Sequence, residues 1–252
     1  MTEQDELLKK RFAELAAQSH GTNSYTFTGF LGEAESAVYY QMERELVYAG
    51  VTVFGGRAEA SRNMIRFGSQ EEFGYVEEFP IRCICIEPLH QKFADALSHR
   101  DFLGAVMNLG IERSEVGDIV VQDKKAYLFA SEKMAPYICE NLDKVKHTYV
   151  RCLVTEELPR EAQVHTENMV LQVSSERVDA VASKVFRLSR SEILDYFRTR
   201  KVFVNGRLCE NNSYYLKEAD TVSVRGYGKF RFSGVLSLSR KGKQNVLIEK
   251  YV

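Results

Sequence analysis

The sequence predicts an α+β fold in three parts: a small amino-terminal α/β domain over residues 1–75, a β-α-β-β-α-β middle domain over 76–165, and a basic carboxy-terminal domain over 174–252. Two observations carry this reading. Helical and strand periodicities alternate along the chain instead of separating into an all-α and an all-β half. Charge is split unevenly: residues 174–252 hold 16 Lys+Arg against 8 Asp+Glu, and residues 1–173 hold 18 against 27. A formal net charge of −1 therefore conceals a basic module on an acidic body. A polyanion is the natural partner for such a module, and a merely solvated basic surface is the alternative.

Composition sets the outer bounds. With 252 residues, 44% hydrophobic and 27% charged, the chain is long enough for a sizeable core and reads as soluble and globular. No apolar run has the length of a membrane span. The opening "MTEQDELLKKRF" lacks the apolar core of a signal peptide, so the expected location is the cytoplasm. Five cysteines, Cys83, Cys85, Cys139, Cys152 and Cys209, lack paired metal-ligand spacing and read as reduced, mostly buried thiols.

In the first part, Leu8, Phe12, Leu15 and Ala16 fall at helical spacing, as do Ala34, Ala37, Val38 and Leu46. Gly50 stops the second helix and Val51–Phe54 reads as a strand. "FGGRAEASRNMIRFG" sets Arg57, Arg62 and Arg66 near a Gly-Gly pair, but its spacing fits neither common phosphate-loop pattern. A tight strand-to-helix turn is the expectation.

The middle part runs strand ("PIRCICIEP"), helix ("QKFADALSHRDFLGAVMNLG"), hairpin ("GDIVVQDKKAYLFA"), helix ("SEKMAPYICENLDKV", with Ser131 as cap and Pro136 marking a kink or late start), strand ("HTYVRCLVTE"). That order is the split pattern of ferredoxin-like folds, which include RNA-recognition sheets. Tyr127 and Phe129 share one face of a strand where such sheets stack bases, yet "KKAYLFA" matches the aromatic signature of those modules poorly. Both rings are expected in the core, and the domain is expected to act as scaffold or partner surface. His99-Arg100-Asp101 lacks the companions of a kinase loop and suits a helix start.

In the last part, Val178, Val181, Ala182 and Val185 form one apolar stripe on a short helix. Ser189-Arg190-Ser191-Glu192 is a capping box opening a second helix that ends near Arg200. Val202 and Val204 open a strand that turns at Asn205-Gly206, Val222 and Val224 mark another, and "VLSLSRKGKQNVLIEKYV" reads as a final hairpin with a basic turn. Arg190 takes the first slot of the apolar series completed by Ile193, Leu194 and Phe197. A cation at a helix start is unfavourable by a few tenths to about one kcal/mol. Either its head reaches solvent along the core edge, or it and the free N–H groups await a phosphate. The conflict with the helix dipole favours the phosphate.

These residues are recognisable together. "ERVDAVASKVFRLSRSEILDYFRTRKVFVNGR" followed by "ADTVSVRGYGKFRF" closely resembles the RNA-binding domain named after small-subunit ribosomal protein S-four. Its three marks are Arg177-Val178-Asp179, Ser189-Arg190-Ser191 and Val202-Phe203-Val204-Asn205-Gly206; Ala219-Asp220 departs from the usual Gly-Asp. With "HRDFLGAVMNLGIERSEVGDIVV" and the "FGG" loop, the whole chain resembles the YlmH family of bacterial proteins. That resemblance implies rRNA and tRNA contacts on the large ribosomal subunit, with peptidyl-tRNA, in rescue of stalled translation where nascent chains receive an alanine tail. It implies contact with the tailing factor, and the family also carries a cell-division label.

Basic face and motifs together give the expected RNA-contacting set: Arg177, Arg187, Ser189, Arg190, Ser191, Arg198, Arg200, Lys201, Asn205, Arg225, Lys229 and Arg231. No catalytic residue, metal ligand, cofactor, membrane or small-molecule substrate is expected. The rivals are an RNA-modifying enzyme or its targeting subunit, and a protein-interaction factor linked to cell division, which would leave the basic segment unexplained. A pseudouridine synthase needs a catalytic Asp where Cys209 follows Gly206-Arg207-Leu208, a methyltransferase needs a fuller Gly-rich loop than Phe54-Gly55-Gly56, and the nucleotide-binding signatures of a tyrosyl-tRNA synthetase are missing.

Overall fold

α1 (Glu3–Thr22) carries Glu3, Asp5 and Glu6 in its first turn, where they complement the helix dipole, and buries Phe12, Leu15, Ala16 and Ser19. These residues belong to a computed structural model that describes residues 3–156, 159–239 and 242–251. α1 packs with α2 (Glu33–Leu46) on a small antiparallel sheet of β1 (Thr26–Phe27), β2 (Val51–Phe54) and β3 (Met64–Phe67), in the order β1-β3-β2. Phe12, Val38, Tyr39, Ile65 and Phe67 form its core. A short α3 (Gln70–Phe73) follows.

The Gly-Gly loop joins β2 to β3, so it is a strand-to-strand connection and not the expected strand-to-helix turn. Packing explains both glycines. A Cβ on Gly55 would lie 2.2 Å from the Arg62 carbonyl oxygen, and one on Gly56 (φ +91°) would lie 2.4 Å from the Phe129 ring.

The middle segment contains β4 (Ile81–Pro88), α4 (His99–Met107), β5 (Val116–Gln122), β6 (Lys125–Ser131), α5 (Ala135–Asn141), β7 (Lys144–Val145) and β8 (Thr148–Val154). Its sheet runs β5-β6-β4-β8-β7, with every pair antiparallel. Leaving out the β7 edge, this is the strand order of a ferredoxin-like sheet. One face, with Ile84, Ile86, Ala126 and Leu128, packs under Phe102 and Val106 of α4 and Ile138 of α5. On the other face Tyr127 and Phe129 are buried with Phe30, Met64 and Ala162. The rings at the base-stacking positions are thus core, because the first part of the chain covers them.

Two elements start later than their patterns suggest. The helix read over residues 91–110 begins only at His99, because Asp101 accepts from the Ser98 N–H at 2.8 Å. Ser131 is not a helix cap; it ends β6, its hydroxyl bonds the Glu115 carboxylate, and α5 opens at Ala135 with Pro136 in its first turn.

Contacts divide the chain into Met1–Gln163 and Val164–Val252. The boundary expected near residue 75 therefore falls inside one unit. Arg62 shows why: its Nε donates to the Val116 carbonyl (2.9 Å), and its Nη2 to those of Phe30 (2.8 Å) and Arg113 (3.0 Å). Asp118 accepts the N–H groups of Ser61 and Arg62 at 2.8 and 3.0 Å.

The second unit holds β9 (Thr166–Val173), α6 (Val178–Val185), α7 (Arg190–Arg198), β10 (Val202–Val204), β11 (Arg207–Leu208), β12 (Thr221–Val224), β13 (Gly228–Leu238) and β14 (Gln244–Tyr251). One antiparallel sheet takes all its strands, in the order β11-β10-β12-β13-β14-β9. β9 was not expected, and it moves the start of the unit ahead of residue 174. Val178, Val181, Val185, Ile193 and Phe197 pack on Val202, Val222, Phe230 and Ile248. Asn205 (φ 51°) and Gly206 (φ 75°) make the two-residue turn between β10 and β11. Ala219 keeps a left-handed φ of 70° where glycine is usual, so the turn survives the departure under strain. In the final hairpin turn, Arg240 and Lys241 lie outside the described residues.

Candidate nucleic-acid interface

The two short helices of the second unit start beside each other. Ser189 caps α7: its hydroxyl accepts the Glu192 N–H at 3.2 Å, while the Glu192 carboxylate accepts the Ser189 N–H at 2.7 Å. Those bonds hold the Glu192 carboxyl below its usual range. Arg190 is the first helical residue and is exposed. It lines a groove of about 240 Å³ together with Ser175, Arg177, Asp179, Ser183 and Lys184.

Arg177, the N-cap of α6, is held as a fork on Asp179, with Nε at 3.1 Å and Nη2 at 2.6 Å. Asp179 is buried and also accepts from Asn212 Nδ2 at 3.2 Å. Part of the Arg177 charge is therefore spent inside the protein, which the sequence reading did not anticipate. Among the described residues, no side chain bonds the Arg190 guanidinium. Lys184, which sequence reasoning missed, adds a second exposed cation.

Arg187 (φ 55°) and Arg200 (φ 56°) occupy the left-handed position just past α6 and α7. Each follows the same end-of-helix pattern. Arg187 N–H reaches the Lys184 carbonyl (3.4 Å) and Leu188 N–H the Ser183 carbonyl (2.9 Å); Arg200 and Lys201 repeat this on Phe197 (3.0 Å) and Tyr196 (2.9 Å). Glycine normally stands there, and an L residue costs about 1–2 kcal/mol. Two arginines at strained helix ends are what a surface selected for charge would keep.

Beside the end of α7 lies a basic and aromatic edge. Tyr196 and Tyr227 stack edge to face at 5.3 Å, Phe186 lies 6.0 Å from Tyr227, and the Lys201 amine sits 5.6 Å over the Tyr196 ring. A hydrogen bond with Tyr227 pushes the Tyr196 hydroxyl pKa up. Exposed Arg225 joins this edge through its N–H to the Lys201 carbonyl at 2.9 Å. Neither tyrosine stands out in the sequence; the available signal for Tyr227 is the "GYGK" turn beside Arg225.

The remaining expected contacts separate. Arg198 pairs with Asp195 at 2.9 Å and Arg200 with Glu210 at 3.5 Å, all exposed pairs of little energetic weight. Lys229 lies over Tyr251 at 5.9 Å, and Arg231 faces Glu249 at 3.8 Å. Ser191 is exposed and its hydroxyl contacts that of Ser189 at 3.1 Å. Asn205 is exposed at the turn. Its amide donates to Asp220 Oδ1 (2.7 Å) and accepts the Thr221 N–H (2.9 Å), so its side chain is committed to the turn.

Residues 75–158 match the family described as "Putative RNA-binding domain in YlmH". The resemblance to YlmH proteins holds. Over 172 residues the chain is 29% identical to "Ribosome-associated protein quality control protein P2" of Bacillus subtilis (strain 168), a match covering 66% of each chain. The solved "Cell division protein ylmH from Streptococcus pneumoniae" aligns with 62% of this chain and 93% of its own, at 18% identity and a TM-score of 0.47. The family's description attaches RNA binding to the middle segment, for which the sequence leads to the expectation of a scaffold or a partner surface.

Proposed function

We propose that the chain is a noncatalytic RNA-binding protein that joins the large ribosomal subunit and peptidyl-tRNA in quality control of stalled translation, where nascent chains receive an alanine tail. The observation that carries this reading is the groove at the starts of α6 and α7. There Arg190 and Lys184 are exposed, Arg177 is held in place by Asp179, and α7 begins with its dipole pointing into the same space. Such a groove takes phosphate. The name of the Bacillus subtilis relative supports the ribosomal setting.

Support for a noncatalytic role comes from the motifs that looked most chemical. The Gly-Gly loop serves close packing on Phe129, and His99-Arg100-Asp101 opens a capped helix. The purified protein is expected to sediment with large subunits in a salt-dependent way. Mass spectrometry of RNA nucleosides from cells with and without it is expected to show no change. A modification lost with the protein, or no sedimentation at low salt, contradicts the reading.

A further inference from the structure

The non-helical face of the middle sheet is only half covered. Across its β6, β4 and β8 strands run three rows: Phe129 and Cys83; then Tyr127, Cys85 and Leu153; then Lys125, Glu87 and Arg151. The Phe129 and Tyr127 ends lie under Phe30 and Met64. At the β8 end the face opens. Tyr149 is 58% and Leu153 53% exposed, and Arg151 and Lys144 are exposed beside them. Tyr149, Arg151 and Leu153 alternate along β8, so all three point out on this side. Lys144 is Tyr149's cross-strand neighbour, its amine 5.1 Å from the ring centroid.

The charge of this face is positive and fixed in place. Glu87 lies between Lys125 (2.8 Å) and Arg151 (2.7 Å), one carboxylate against two cations. Lys125 also lines a cleft of about 680 Å³ with Lys92 and Lys124. The Lys124 amine is anchored on the carbonyls of Gln91 and Ala94 at 2.8 and 2.9 Å. An open aromatic ring with Lys144 against it and Arg151 next along the same strand face fits an unpaired base with its phosphates. A duplex keeps its bases stacked and offers no free face to Tyr149.

We infer that the open half of this sheet binds single-stranded RNA, with a base stacked on Tyr149 and phosphates held by Lys144, Arg151 and the Lys124–Lys125 turn. The inference rests on the proposed RNA-binding function and adds a second site in the segment whose family is described as RNA-binding. It places stacking on the outer strand because the central positions are already filled.

The test uses the full chain with an unstructured RNA oligonucleotide and a duplex of the same sequence. Tyr149→Ala is expected to weaken single-strand binding about 10-fold, within the range for losing one base stack. Tyr149→Phe keeps the ring and is expected to stay within about twofold of the parent. Duplex binding is expected to change little in either. Ultraviolet crosslinking of the unmodified protein is expected to label the peptide that carries Tyr149, and this decides the matter if Tyr149→Ala fails to fold. Unchanged single-strand affinity in Tyr149→Ala, or crosslinks that spare that peptide, overturns the inference and leaves the face to a protein partner. If Arg190→Ala weakens binding while Tyr149→Ala does not, the proposed function stands and only this site falls. If the parent binds no RNA, both fall.

Discussion

Arg62 has the largest structural consequence of any single side chain described above. Its guanidinium serves the carbonyls of Val116, Phe30 and Arg113, all in partly or fully buried surroundings. Arg62→Ala takes the donor from the Phe30 carbonyl, at about 1–3 kcal/mol for a group that water cannot reach, while the Val116 carbonyl keeps Arg113 Nη1 and the Arg113 carbonyl keeps the Val116 N–H. A loss of about 2 kcal/mol is expected in denaturant unfolding, with RNA affinity of the folded fraction unchanged; a loss below about 1 kcal/mol contradicts the clamp. Asp101 offers a pH test. Bonds to Lys146 and to Ser98 lower its pKa to about 2. The folded value lies below the unfolded one, so its stabilisation is present above the ordinary carboxylate range and is lost as pH falls toward about 2. Asp101→Asn is expected to remove that part of the acid-unfolding profile, and an unchanged profile contradicts it.

At the scale of elements, two left-handed residues separate structure from function. Ala219→Gly relieves its φ of 70° and is expected to raise stability by about 1 kcal/mol with RNA affinity unchanged. Arg187→Gly relieves a φ of 55° and is expected to stabilise by a similar amount while weakening RNA binding. Thermal unfolding with binding measured on the same samples checks both; equal effects on affinity would remove Arg187 from the interface. Local chemistry made several elements legible from sequence. The Ser189–Glu192 box, the Asn205-Gly206 turn and the Val178–Val185 stripe each encode their geometry within a few residues. Less local features were hidden. β9 gains its place by pairing with β14, more than 70 residues on, and the left-handed φ of Arg187 and Arg200 has no glycine to signal it, although the end of α7 near Arg200 was itself legible. α4 started late because one capping bond outweighed a longer apolar pattern.

At the scale of the whole molecule, the charge split was visible in composition, and the basic half is the unit that carries the groove. The burial of Tyr127 was expected from a weak aromatic motif, but its cause, a separate stretch of chain laid over the sheet, has no local signal. The same covering makes residues 1–163 one unit, so a cut near residue 75 is expected to yield aggregation-prone pieces with Phe30 and Phe129 uncovered. Separated instead at residue 163, the second unit is expected to keep the salt-steep part of RNA binding, and the first a weaker, single-strand-selective part. Gel-shift titrations over a salt series check this, and a first unit that binds ribosomes as tightly as the full chain reverses the assignment.

The central claim is that Arg190 is held out for a phosphate. The most direct measurement is the affinity of Arg190→Ala, Arg190→Lys and the parent for large ribosomal subunits over a salt series, with Lys243→Ala as control. Ser189 and Glu192 still cap α7 in each variant, so stability is expected to move by no more than roughly half a kcal/mol. Arg190→Ala is expected to bind clearly more weakly, with the slope of log affinity on log salt flattened by roughly one phosphate contact. Arg190→Lys is expected to recover only part of the loss, because lysine restores charge without the planar fork, and Lys243→Ala is expected to stay near the parent. If Arg190→Ala binds like the parent and keeps its salt slope, Arg190 is a solvated surface residue and the groove is not the RNA site.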